Sequence, residues 1–455
     1  MHGVLRAPDR HALAVFGPGL AAALVFGLVA GRWPVVAVAG VAGIAVVIAM
    51  LKDLTVGIVV FTIASFAAVL SHGGAATGAK GIGLLLVLAW LATIARRPAR
   101  DARSLVREQR WLVLSAAALV AWSLLSVVWA GSPKTALVGA SRYAQDVALF
   151  PIVYAGVTRF RHVRWIAAAF VAGALLATLY GVAAGHTVDG SRLVGALGDP
   201  NETAAVLVAA AVLAFALGAG ERRSTIRRWI GFGASACALL GLVATASRGG
   251  LVALAVTALV AIAVGGRWRR QVVLAATVGS VLVAGWFLLV APAGSVSHVE
   301  STQSPRSTLW TVAERAIAAQ PIVGLGNDNF SLMSSHFLVQ PGATTRADQI
   351  VTLAQPAHNI YLEIWADLGI VGLVLFAGVV LAALRAALAA AALLEAAGRR
   401  AEELLARALT VAIVAMLAAD FFISNEYSKQ LWLLLALAPA MLAATCTDSR
   451  AAAKQ

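Results

Sequence analysis

The sequence predicts an all-α polytopic membrane protein of about 12–14 transmembrane helices, and three observations lead there. The chain is 61% hydrophobic and only 12% charged, with mean hydropathy +0.87; a soluble domain is about 45–50% apolar and about 25% charged. Apolar stretches of spanning length follow one another almost end to end over 455 residues. They are continuous Ala, Val, Leu and Gly runs, not the alternating ten-residue segments of an outer-membrane barrel.

Taken in order, the stretches bounded by charge or by Gly, Pro and Asn fall near 12–31, 34–51, 54–71, 80–95, 111–130, 144–158, 165–184, 202–219, 229–246, 249–265, 271–291, 359–381, 407–424 and 429–445. Stretches 34–51, 80–95 and 144–158 are short or Gly-rich, so twelve crossings with a re-entrant pair is the other count, and an even number is the firmer expectation. Four regions follow: N-terminal helices 1–110, a central membrane region 111–291 with arginine-bearing external loops, a long external loop 292–357, and C-terminal helices 358–455. Arg6 and Arg10 precede the first stretch without a small-residue cleavage site, so it reads as a retained helix.

Lys and Arg bias short loops towards the cytoplasm. With the N-terminus inside, the clusters Arg96 to Arg110, Arg159 to Arg164, Arg222 to Arg228 and Arg267 to Arg270 are all cytoplasmic. Both termini are then expected in the cytoplasm. This placement accounts for the net charge of +14 without nucleic acid, since no basic domain and no interleaved aromatics accompany it. Cys237 and Cys446 form neither a disulfide framework nor a metal motif.

The basic residues left outside are the informative minority. Arg142 stands in Ala140-Ser141-Arg142-Tyr143, Arg192 in the external segment 186–201, and Arg248 in the tight corner Ser247-Arg248-Gly249-Gly250. A single arginine at such a depth snorkels to lipid phosphates; several converging would make a diphosphate site, because the planar guanidinium fork matches phosphate oxygens. The glycines after Arg248 let the backbone turn sharply and a ligand approach closely. Gly198-Asp199-Pro200-Asn201 reads as a helix start with Asn201 as its cap.

Within the long loop, Ser304-Pro305 predicts a cap and first helical residue, with Arg306, Trp310 and Ala313 on one face of an amphipathic helix at the membrane surface. Pro321, Gly324 and Gly326 then mark a tight turn, and Phe330 to Leu338 a second short helix. The loop re-enters the membrane at Ala357-His358-Asn359-Ile360-Tyr361-Leu362-Glu363. There His358 can take a proton near neutral pH, and Asn359 and Glu363 share one helix face. Alternatively, His358 and Asn359 cap the helix, and Tyr361 and Trp365 belong to an aromatic belt. Phosphate-binding loops, dinucleotide fingerprints and HExxH are all missing, so no nucleotide, metal or other cofactor is expected.

In this order, the motifs resemble the O-antigen ligase and polymerase superfamily of bacterial membrane glycosyltransferases. The residues that carry the resemblance are Arg192 with Gly195 and Asp199-Pro200-Asn201, then Ser247-Arg248-Gly249, then Arg306 and Trp310 leading to Pro321, Gly324, Gly326 and Phe330, and finally His358-Asn359 with Tyr361-Leu362-Glu363, Gly369 and Gly372. They cover roughly residues 110–440.

The resemblance implies a GT-C-like helical fold in the bacterial inner membrane, with an active site facing the periplasm or exterior. It further implies transfer of a glycan from undecaprenyl diphosphate to an acceptor hydroxyl on lipid, polysaccharide or protein, without a metal. Carried onto this sequence, His358 serves the acceptor hydroxyl, while Arg192 and Arg248 bind the diphosphate with Arg142 beside them. Asn201, Arg306, Asn359, Tyr361 and Glu363 are further substrate contacts. Ligase, polymerase and protein O-oligosaccharyltransferase all fit the motifs. A non-enzymatic flippase of lipid-linked glycans would also explain a cationic cavity, but the repeats and broken helices of transporters are missing.

Overall fold

A computed structural model describes residues 32, 34–67, 76–96, 104–188, 192–289, 306–338 and 355–452. The chain is an all-α polytopic membrane protein. The first expected span, 12–31, and the Ser304-Pro305 cap lie outside the described residues.

The N-terminal helices are α1 (Pro34–Lys52), α2 (Leu54–Ala64) and α3 (Ala76–Arg96). Helices α4 (Arg110–Leu125), α5 (Pro133–Val147), α6 (Leu149–Gly156) and α7 (Phe160–Ala183) follow. A two-residue hairpin, β1 (Thr187–Val188) with β2 (Arg192–Leu193), leads into α8 (Pro200–Gly220), α9 (Thr225–Ala244), α10 (Arg248–Val264) and α11 (Arg269–Leu289). The segment expected to be an external loop holds α12 (Arg306–Ala319) and α13 (Phe330–Leu338), and α14 (Ile360–Ala396), α15 (Arg400–Ala419) and α16 (Lys429–Ala452) follow.

Among the described residues seven helices are long and apolar enough to cross a membrane, or up to eight if the pair Arg248–Val264 and Gly266–Trp286, bent by 117° at its break, is one span. That is fewer than the twelve to fourteen expected. Stretch 54–71 forms an 11-residue helix that stops at Ala64. Stretch 144–158 is two elements, because Ser132 and Pro133 start an amphipathic helix well before it and Pro151 has no N–H to carry that helix past Val147. Hydropathy registers how apolar a stretch is, not where its helix breaks.

Helix α8 is apolar all round and is the centre of the bundle, packed against α9 and α15. Gly218 of α8 and Gly231 of α9 set the closest approach: a Cβ on Gly231 would lie 2.5 Å from the Gly218 Cα. Small residues facing one another let membrane helices pack backbone to backbone. At the corner between α10 and α11, the Arg407 Nη1 donates to the last α10 carbonyl, Val264, at 2.5 Å. Its Nε pairs with Glu403 at 2.8 Å and its Nη2 with Glu395 at 2.7 Å, while Arg267 pairs with the other Glu403 oxygen. Arg267, read from sequence as topogenic charge, therefore also balances a buried acid.

Candidate functional site

The site is built where the hairpin, the α9–α10 corner and the start of α8 meet. Arg192, in β2, is buried. Its Nε donates to the Thr245 carbonyl at 3.2 Å and its Nη2 to the Asn201 Oδ1 at 3.3 Å. The same Asn201 oxygen accepts from the Ser247 Oγ at 2.8 Å. Three segments spread over more than fifty residues are thus tied through one amide oxygen. The cap of α8 is Asp199, not Asn201: its carboxylate accepts from the Asn201 and Glu202 amides at 2.7 and 3.0 Å. With Pro200 in the first helical position the cap must precede the proline, which leaves the Asn201 side chain free of the backbone.

Ser247 caps α10, its Oγ accepting from the Gly250 amide at 3.1 Å, and Arg248 is the first helical residue. Ala246 before it takes a left-handed φ of 47°. The glycines that follow admit other helices, not a ligand. A Cβ on Gly249 would come within 2.9 Å of the Phe422 Cβ, and one on Gly250 within 2.7 Å of the Ala204 Cβ.

Arg306, at the start of α12, and His358, just before α14, complete the candidate site. Arg306 opens α12, and burial together with the charges of Arg248 and Arg192 lowers its pKa, Asp199 opposing them. His358 precedes α14 in a left-handed conformation, φ 52°. Burial, then the Arg306 charge, lowers the imidazole pKa, with Asp199 again opposing. Arg192, Arg248, Arg306, Asp199 and His358 therefore share one electrostatic neighbourhood. The α12 face expected to be amphipathic buries Leu309, Val312, Ala313, Ala316 and Ile317 against α13 and α14, and the Trp310 ring packs on Phe421 and Phe422.

Residues 233–377, from within α9 to within α14, match the family model described as O-antigen ligase. Over that segment the chain is similar to O-antigen ligases. Arg248, Arg306 and His358 lie inside the matched segment, whereas Arg142, Arg192 and Asn201 lie before it. No curated protein matches the chain.

Within the matched segment the turn after α12 is clamped to a kink in α14. The Asp367 carboxylate accepts from the Asp328, Asn329 and Phe330 amides at 2.7, 3.0 and 2.6 Å. Backbone bonds from Leu325 to Ala366, from Gly326 to Asp367 and from Ile370 to Pro321 complete the seam. Gly369 makes it possible: its φ is 68°, and a Cβ there would lie 1.9 Å from the Ile322 carbonyl oxygen. The Trp122 indole of α4 donates to the Leu368 carbonyl freed by the kink, at 2.8 Å.

The other expected contacts have partners inside the protein. Asn359 caps α14 through the Tyr361 and Leu362 amides at 2.9 and 3.1 Å. The Tyr361 hydroxyl donates to the Leu417 carbonyl at 2.9 Å. Glu363 is buried and accepts from the Ala357 amide and the Ser424 hydroxyl. Arg142 belongs to a different constellation, paired with Asp328 at 3.0 Å and stacked over the Tyr427 ring. Sequence reasoning missed Asp199 as the acid shared by Arg306 and His358, and Ser424 as a partner of the histidine turn. The proline after Asp199 was a usable signal, while Ser424 offered none. Among the described residues no group of three or more His, Cys, Asp or Glu is arranged to hold a metal ion.

Proposed function

We propose that the protein transfers a glycan from a polyprenyl diphosphate carrier to an acceptor hydroxyl at the outer face of the bacterial inner membrane. The acceptor oxygen attacks the anomeric carbon as His358 takes its proton. The bond from that carbon to the phosphate oxygen breaks, and its electron pair leaves with the diphosphate. Arg192, Arg248 and Arg306 hold the charge that grows there; guanidinium groups fixed in advance favour the transition state because they need not reorganise. A histidine whose pKa is depressed is neutral at physiological pH and can accept the proton. The turn and helices of the external region cover this chemistry, and excluding water limits hydrolysis of the donor.

The observation that supports the reading is that Arg192, Arg248 and His358 all lie in the electrostatic neighbourhood of Arg306, in a chain whose residues 233–377 match the O-antigen ligase family model. Its test is reconstitution with a lipid-linked glycan donor. Arg248→Ala should lower kcat about 10²–10³-fold and His358→Ala about 10²–10⁴-fold, both proteins remaining folded. Full activity in both variants refutes the site. In cells, loss of glycan attachment on deletion identifies a ligase and single-repeat products a polymerase, whereas donor accumulating only on the inner leaflet identifies a flippase.

A further inference from the structure

His358 stands in a backbone conformation that an L residue rarely adopts, φ 52°, and something must hold it there. The residues on either side supply the answer. The Ala357 amide, just before the histidine, donates to the Glu363 Oε2 at 2.5 Å. The Asn359 amide, just after it, donates to the Ser424 Oγ at 3.3 Å. Ser424 in turn donates to the same Glu363 oxygen at 2.8 Å. Ala357, Asn359 and Glu363 are all buried. One carboxylate oxygen therefore fixes the backbone on both sides of His358, directly on one side and through a hydroxyl from the α15–α16 connection on the other.

This differs from ordinary capping. The cap of α14 is Asn359, and a capping-box carboxylate would reach back to that residue's own amide from the third helical position. Glu363 sits one residue further along and reaches past the cap to Ala357. We propose that Glu363 and Ser424 are positioning residues that lock the His358 turn so that its imidazole faces the acceptor hydroxyl. The proposal rests on the reading of His358 as the acceptor's base. It also makes Glu363 a support for that base instead of a substrate contact.

The test compares Glu363→Ala, Glu363→Gln, Ser424→Ala and His358→Ala in the reconstituted transfer assay, with thermal stability of each purified protein. A misplacement of about 1 Å can cost about 10²-fold in rate, so Glu363→Ala should lose about that much in kcat while KM for the lipid-linked donor stays within about twofold. A glutamine carbonyl in the place of the Glu363 Oε2 can still accept from both the Ala357 amide and the Ser424 hydroxyl, so Glu363→Gln should recover most of the rate. Ser424→Ala, which keeps the direct half of the clamp, should fall between. Wild-type kcat in Glu363→Ala overturns the proposal, as does a Glu363→Gln protein as slow as Glu363→Ala. If Glu363→Ala does not fold, Ser424→Ala and Glu363→Gln decide alone: equal and unimpaired kcat with a rise in donor KM overturns it. Full activity of His358→Ala would instead refute the base assignment itself, a separate outcome.

Discussion

The Asp367 seam between the turn after α12 and α14 yields a prediction that can be worked from its distances. Asp367→Asn keeps the shape but replaces one acceptor oxygen with a donor. In the better amide orientation, the retained oxygen still accepts from Asn329 and Phe330, and the new amine faces the Asp328 N–H, formerly bonded at 2.7 Å. An N–H left without an acceptor costs about 1–3 kcal/mol, which at about 1.4 kcal/mol per factor of ten is roughly a 5–150-fold shift towards the open turn. Hydrogen exchange followed by mass spectrometry in detergent measures it. The amides of residues 328–330 should exchange faster by roughly that factor, while those of the buried helix α8 keep wild-type rates. Wild-type exchange at 328–330 would refute the argument that this carboxylate holds the turn in place.

Two further outcomes follow from the site and the bundle. Neutral His358 is the active form, so transfer should fall away as pH drops through its depressed pKa, below the ordinary value of about 6.5; Arg306→Gln removes a cation that favours the neutral ring, so the acid limb of the pH–kcat profile should move to higher pH, and an unmoved limb would separate the two residues. Arg407→Ala leaves the fully buried Glu403 with only Arg267. Breaking such a buried network costs about 3–5 kcal/mol, read as a lowered melting temperature. Activity per folded molecule should be unchanged, because the corner is about 24 Å along α10 from Arg248.

What the sequence made legible follows from the range of the forces involved. Hydropathy is a local property, so α4, α7, α8, α9, α14, α15 and α16 could be read directly from apolar runs. The order of the arginine, glycine and histidine motifs was equally visible. Pairings across the chain were not. That Asn201 would accept from both Arg192 and Ser247, or that Asp367 would hold the amides of 328–330, depends on packing that no short window contains. Glu363 is the instructive intermediate case. Its place on the Asn359 face of the helix was readable from spacing, but its partners, Ala357 and Ser424, turn a residue expected to touch substrate into one that touches the backbone around the histidine. Arg142, grouped by its side of the membrane with Arg192 and Arg248, pairs instead with Asp328 for reasons of tertiary geometry alone.

The left-handed Gly369 has a consequence for how such proteins can be recombined. Because the turn at 321–326 and the kink in α14 pack backbone against backbone at Gly324 and Gly369, exchanging one alone would set mismatched backbones against each other. A chimera that takes a relative's external loop and stops at residue 357 would set a foreign turn against a native kink. The transferable unit runs through Gly372, and the breakpoint belongs inside the membrane helix, beyond the boundary that hydropathy would suggest.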